Sequence, residues 1–321
     1  MVRQRQQGMA LLMALVMMAI AVTLVAGLWY SSRLSLFRTQ QSHQNLQAQH
    51  LSQGLLIWAS DILENDYSES NQAYDTSGDA WHQGIRGMVV EQAVLSGDLT
   101  GMNHLFNINN LMINNEVSQV HLDYFIRLLT ALNLDVSLAD KILDWMDPDQ
   151  QPRPGGAEDF AYAAESPPYQ TAGAPFSHIR ELYLIAGMDE AQFKQLSPYV
   201  TALPVMQSSS LMNINTLPPV MIKALDPAIS EELAVRIYQQ GEASFTRMDD
   251  FYRFDKDIEF LPGLNDKKPV FEQLVGVQTR YLQARTDVVI DDHSYSQYAL
   301  LHRRNNGASQ VVMRSPIPFL P

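Results

Sequence analysis

Residues 1–30 read MVRQRQQGMALLMALVMMAIAVTLVAGLWY, and they decide how the rest of the chain is held. The head, MVRQRQQG, is short and basic, with Arg3 and Arg5, and ends at Gly8. The run from Met9 to Tyr30 is 22 residues long and carries no charge. As a helix it spans about 33 Å, enough to cross a hydrocarbon core of ~30 Å. Trp29 and Tyr30 close the run, where an interfacial aromatic belt would lie.

Three readings of this segment compete. A cleaved secretory signal needs an apolar core of about 7–15 residues and a small-residue cleavage site. This run is longer, and only Ala26-Gly27 offers such a site. A plain signal anchor needs nothing beyond the run itself. The third reading rests on Gly8 standing immediately before the run. It rests equally on the unbroken passage into a Gln-rich stretch, SSRLSLFRTQQSHQNLQAQHLSQGLLIWASDIL, at 31–63. That pattern resembles the class III leader of type IV pilins and pseudopilins. The resemblance implies that a prepilin peptidase cuts between Gly8 and Met9, that the new amino end is methylated, and that the apolar helix stays. Pilins and most pseudopilins carry Glu at the fifth mature position, which is Met13 here. The family that lacks this Glu is the minor pseudopilin K family of type II secretion (general secretion pathway protein K), so the departure narrows the resemblance.

Downstream, one long helix is expected from Met9 to about Leu63, with Leu34, Phe37, Leu46, Leu51, Leu55, Trp58 and Ile62 near helical spacing. Asn65–Trp81 is polar and reads as a loop. GMVVEQAVLSGD and LTGMNHLFNIN predict two strands, with Ser96-Gly97-Asp98 as the turn between them. Helices are expected near Met112, over VSQVHLDYFIRLLTALN, and from Ser137, where Asp140 completes a capping-box-like pair. SHIRELYLIAG, closed by Gly187, and DEAQFKQLSPYV, begun by Asp189, follow. Thr246–Phe260 reads as one further helix. After Val277 the period becomes two, and Asn306-Gly307 marks a hairpin turn among about three antiparallel strands.

An echo lies inside the helical block. FNINNL at 106–111 recurs as MNINTL at 212–217, each before a helical stretch. The pattern resembles helix-hairpin-helix or SAM-like modules. The hairpin positions hold Asp226-Pro227 and no basic cluster, so the paired Asn residues read as turn and cap chemistry rather than DNA binding.

The fold class expected is therefore α+β. A pilin-like long N-terminal helix packs on an antiparallel sheet, with a large all-α, SAM-like or helix-hairpin-helix-like domain inserted. The boundaries read as leader 1–8, membrane part 9–30, pilin-like first part 31–109, inserted domain 110–276 and C-terminal strands 277–321.

The loop after Met146 reads DPDQQPRPGGAEDFAY. Counting Asp147 as position one, Asp147, Asp149, Gln151 and Glu158 stand at one, three, five and twelve, positions an EF-hand calcium loop uses. Position six, where the EF-hand takes Gly, is Pro152, and the glycines come later at Gly155 and Gly156. A non-EF-hand calcium site is expected, since a hard cation taking six to eight oxygens tolerates such a loop. Asp159 and Asp144 are nearby candidates for completing it or holding a second ion. The family resemblance implies calcium here, with Asp147, Asp149, Gln151, Glu158 and Asp159 as the matching positions. The competing reading is an acidic, solvated loop.

Composition excludes other classes. The net charge is −13, a poor match to a phosphate backbone. There is no cysteine, which removes thiol catalysis, thiolate metal sites and disulfides. No G-x-S-x-G, P-loop, H-E-x-x-H or G-x-G-x-x-G motif occurs, and the eight histidines are scattered singly, so no enzyme is expected. The resemblance implies an inner-membrane, single-pass minor pseudopilin with its soluble part in the periplasm. It also implies a place at the pseudopilus tip beside proteins I and J, then H, with neither nucleic acid nor a small-molecule substrate. The alternative is a single-pass, membrane-anchored periplasmic helix-hairpin-helix binding protein.

Overall fold

The computed structural model describes residues 3–70, 74–204 and 209–320. Helix α1 (Arg3–Ser70) runs for 68 residues without a break, about 100 Å at the α-helical rise. It overruns the expected Met9–Leu63 at both ends and takes in the start of the expected loop. No Gly or Pro stands between Gly54 and Gly78 to stop it earlier. Residues 71–73 of that loop lie outside the described residues.

The two parts of α1 meet different surroundings. Met9–Tyr30 is exposed throughout, with a mean hydropathy reaching 2.7, long and apolar enough to cross a membrane. The Arg33 guanidinium lies 4.9 Å over the Trp29 ring, at the polar end of the apolar run. The second part packs on the sheet through Ala48, Leu55, Leu56, Ala59 and Leu63. This line is offset from the expected stripe. Phe37, Leu46 and Trp58 stay exposed, whereas the small residues Ala48, Ser52 and Ala59 are buried.

The sheet holds five strands: β1 (Ile85–Val90), β2 (Ala93–Gly101), β3 (Tyr281–Ile290), β4 (His293–Arg303) and β5 (Ser309–Ser315). They lie in that order, each antiparallel to its neighbours. The early hairpin and the C-terminal strands thus share one sheet, as expected. The turn of the first hairpin is Glu91-Gln92, not Ser96-Gly97-Asp98. Glu91 takes φ +53°, and Ser96, Gly97 and Asp98 pair with Asp287, Thr286 and Arg285 inside the sheet. Tertiary pairing overrides the local turn signal here. The last hairpin turns at Asn306-Gly307, with Gly307 at φ +85°. A Cβ on Gly307 would lie 2.7 Å from the Tyr67 Cβ, so this turn is pressed on the end of α1.

Between β2 and β3 lie α2 (Gln119–Ala131), α3 (Ser137–Met146), α4 (Asp159–Tyr162), α5 (Glu190–Leu196), α6 (Pro219–Lys223), α7 (Glu231–Tyr238), α8 (Met248–Arg253), α9 (Lys256–Glu259) and α10 (Leu264–Leu274). They enclose a core of their own, with Tyr124, Phe125, Ile142, Leu143 and Phe251 fully buried. Asp189 caps α5 with a reciprocal Gln192 contact, as its position predicts. The start of α3 differs from expectation. The Asp135 carboxylate accepts from the Ser137 amide and hydroxyl, and Asp140 accepts from the Gly155 amide instead. Residues near Met112 form a 3-10 turn, Ile108–Leu111, and a two-residue strand rather than a helix. SHIRELYLIAG is 3-10 over Ile179–Leu184. Thr246–Phe260 splits into α8 and α9 because Asp255 caps a new start. α10 went unpredicted: Pro269 inside it disguised the pattern.

The echo is a structural repeat. Phe106-Asn107 pairs in parallel with Val200-Thr201, and Met212-Asn213 with Val275-Gly276. In each copy the first Asn side chain accepts from the amide two residues on, Asn109 and Asn215 respectively. Lys223 and Lys267, beside the α6–α7 hairpin, pair with Glu231 and Asp226. Asp75 joins the sheet to the helical block. Its carbonyl accepts from the Asn213 and Asn215 side chains, its carboxylate from the Thr279 amide at 2.6 Å, and Arg303 of β4 pairs with it.

Candidate metal centre

The chain leaves α3 at Met146 and folds back over its end. Trp145 and Tyr162 meet edge to face, with ring centroids 5.4 Å apart, and form the floor of this fold. The Gly173 amide donates to the Trp145 carbonyl at 3.0 Å, which ties the far end of the loop down. Three carboxylates converge above this floor. Asp144, Asp147 and Glu158 are all buried, and one oxygen from each lies within 4.8 Å of the others. Asp144 and Asp147 come from the last turn of α3 and the residue after it, three apart and so on one side of the helix. Glu158 comes from the N-terminal boundary of α4.

Hydrogen bonding leaves this cluster incomplete. The Arg153 Nη1 lies 2.5 Å from Asp144 Oδ1 and 2.5 Å from Asp147 Oδ2. The Arg153 amide donates to Asp144 Oδ2 at 3.1 Å. Both Glu158 oxygens and Asp147 Oδ1 are buried without a hydrogen-bond partner among the described residues. Burial, reinforced by Asp144, Asp147, Asp149 and Asp159, pushes the Glu158 carboxyl up to about 7. Burial also raises Asp144, against the opposing pull of Arg153. A buried, unpartnered carboxylate beside two others is the arrangement a divalent cation relieves.

The glycines shape the space. A Cβ on Gly156 would lie 1.8 Å from Asp144 Oδ2, and one on Gly155 would lie 2.9 Å from Asp140 Oδ2. The backbone can pass over the carboxylates only because neither residue has a side chain.

The expected site residues separate into two groups. Asp147 and Glu158 are in the buried cluster. Asp149 and Gln151 are exposed, and Asp149 Oδ1 accepts from the Gln151 amide at 2.8 Å. Asp159 Oδ1 accepts from the Thr171 amide and hydroxyl, both at 2.9 Å. Asp144, a secondary candidate in the sequence, is the cluster's most buried member; its signal was its place one helical turn before Asp147. The role of Arg153 had no sequence signal beyond its position between the acids. Gly8 and Met9 both lie within α1, where the Met9 side chain is exposed.

The family model described as type II secretion system (T2SS), protein K matches residues 104–205, which contain the whole cluster. Type II secretion system protein K of Pectobacterium carotovorum subsp. carotovorum is 30% identical over 97% of each chain. That of Klebsiella pneumoniae is 33% identical over 75% of this chain and 76% of its own. Among solved structures, a chain of the GspK-GspI-GspJ complex from the enterotoxigenic Escherichia coli type 2 secretion system superposes with a TM-score of 0.70. It is 23% identical, with 87% of this chain and 98% of that one covered. The long helix, the sheet closed from both ends of the sequence, and relatives of this length and identity lead to one conclusion: the chain belongs to the type II secretion system protein K family.

Proposed function

We propose that this chain is a minor pseudopilin that sits at the tip of the pseudopilus and supports export of folded proteins across the outer membrane. The observation that carries the reading is the division of α1. Its first part is apolar and exposed over Met9–Tyr30, and its second part is fixed to the sheet. Such a helix suits insertion in the inner membrane, with the folded body in the periplasm and removal of Met1–Gly8 by prepilin peptidase, followed by methylation at Met9. Met13 takes the place of the Glu that, in a following subunit, pairs with a preceding amino end. A subunit with none ahead of it has no use for that Glu. The helical block between β2 and β3 is hard to repeat along a shaft, which also favours the tip. By analogy with the complex of the similar solved chain, proteins I and J are the neighbours; the family resemblance adds protein H after them. The role is structural, with no reaction catalysed.

Calcium fits the buried cluster. Asp144, Asp147 and Glu158 would hold it, with Asp149, Gln151 and Asp159 at the rim. All are hard oxygen donors, and the unpartnered oxygens supply the vacancies a cation fills. When bound, the ion offsets the clustered negative charge and fastens the loop after α3 to that helix.

The test is the intact mass of the full-length protein from membranes with and without prepilin peptidase. Peptidase-dependent loss of Met1–Gly8 is expected. An uncut chain in both preparations would reduce α1 to a plain anchor and remove the partner assignments with it.

A further inference from the structure

We propose that Arg153 is the resident counter-ion of the acidic cluster, and that calcium enters by displacing its guanidinium. The inference rests on the calcium reading above and concerns how that site is regulated.

The geometry is specific. Arg153 Nη1 touches Asp144 Oδ1 and Asp147 Oδ2, each at 2.5 Å. Calcium–oxygen distances run about 2.3–2.6 Å. One nitrogen thus occupies the point from which a cation would bridge these two carboxylates, and the two cannot share it. The guanidinium reaches only two of the three acids. Glu158, 5% exposed, keeps both oxygens unpartnered. A single positive charge therefore leaves the cluster short of neutral, and a divalent ion that also takes Glu158 completes what Arg153 only begins.

The side chain also has somewhere to go. The Arg153 side chain is 25% exposed, whereas those of Asp144 and Asp147 are 0% and 5% exposed. It enters the cluster from the solvent side and can leave the same way. Its own amide stays on Asp144 Oδ2, so the backbone keeps its place while the head group moves. The protein would thus have two filled states of one site, a weaker one closed by Arg153 and a tighter one closed by the metal. Displacement subtracts the guanidinium pairing from the free energy of calcium binding, so Arg153 sets the threshold concentration.

Calcium titration of the full-length protein in detergent, by calorimetry after chelator treatment, tests this with wild type and Arg153→Met. Removing the competitor is expected to tighten calcium binding by about tenfold or more, the scale of one like charge removed from a partly buried site. It is also expected to lower the melting temperature of the calcium-free form. Unchanged or weaker binding by a folded Arg153→Met protein would overturn the displacement. No binding by either protein at millimolar calcium would overturn the calcium reading and this inference together.

A second measurement uses the wild type alone and does not depend on the variant folding. Phenylglyoxal labelling, read by peptide mass spectrometry, is expected to modify Arg153 several-fold faster once calcium is added, with the exposed Arg180 as reference. Equal labelling with and without calcium, in a protein shown to bind the ion, would overturn displacement while leaving the calcium site standing.

Discussion

Asn109 grips Phe176 by both backbone groups: its Nδ2 donates to the Phe176 carbonyl at 2.8 Å, and its Oδ1 accepts from the Phe176 amide at 2.8 Å. Asn215 repeats the grip on Phe245, at 3.0 and 2.8 Å. Each Asn behaves as one more residue of a strand, satisfying a backbone segment that has no strand beside it. Replacing either Asn by Ala orphans buried groups at about 1–3 kcal/mol each. Asn109→Ala and Asn215→Ala should each lower stability by several kcal/mol, read as a shift in denaturation midpoint. Asn109→Asp keeps the acceptor but sets a buried carboxylate oxygen against the Phe176 and Leu203 carbonyls, and should lose at least as much.

Gly156→Ala places a methyl where Asp144 Oδ2 now lies. The carboxylate or the loop must move, at a cost of about 1–3 kcal/mol by analogy with overpacked cores. A melting temperature equal to wild type would show that the backbone has more freedom here than its path suggests.

Calcium added to chelator-treated protein should raise the melting temperature, because an ion that binds only the folded chain stabilises it by mass action. At about one hundred times its Kd the gain is ~2.7 kcal/mol. Glu158→Gln should remove most of that gain, since Glu158 brings two of the three cluster oxygens that have no other partner among the described residues. A full gain in this variant would place the ion elsewhere.

His121 gives stability a pH dependence of its own. It is 2% exposed, and burial, only partly offset by the Gln273 backbone, pushes its imidazole from 6.5 down to about 4. Below about 6.5 the unfolded chain takes up a proton that the folded chain refuses. Stability should therefore fall as pH drops from about 6.5 to about 4, by on the order of 3 kcal/mol from this residue. His121→Asn keeps an atom to meet Ser118 Oγ, now 2.7 Å from Nδ1, and should flatten the slope between pH 7 and pH 5.

Arg303→Met would strand the Asp75 carboxylate, which burial already raises against the pull of Arg303. Breaking one side of a buried pair costs about 3–5 kcal/mol. Adding Asp75→Asn should recover part of the loss, and a double-mutant cycle measures how much.

The readable parts of this fold were those with local causes. Ser137–Met146 is an amphipathic helix whose pattern is plain in the sequence, and Asn306-Gly307 announces its hairpin. Asp189 marks a helix start as a capping residue. The unreadable parts were decided at a distance. Ser96-Gly97-Asp98 has turn composition, yet Asp287, Thr286 and Arg285, about 190 residues away, hold it straight. The buried face of α1 includes Ala48, Ser52 and Ala59 beside Leu55, Leu56 and Leu63, and residues that small do not register in an apolar stripe. At the acidic loop, spacing selects Asp147, Asp149, Gln151 and Glu158 alike, and of these Asp147 and Glu158 lie in the buried cluster. Which acids turn inward depends on the path over Gly155 and Gly156, and sequence spacing does not encode that path.

The pairing of β2 with β3 bears on the order in which this protein can mature. Ala93 meets Ile290 and Gly101 meets Leu282, so the sheet cannot close until nearly the whole chain has been made. The helical block lies wholly before β3 and has its own core, so it can form while the sheet is still two strands. Until β3 arrives, β2 has an unpaired edge and the apolar line of α1 is incompletely covered. The helical block thus matures independently of the sheet, and the edge of β2 is most prone to wrong pairing in the interval that separates the two.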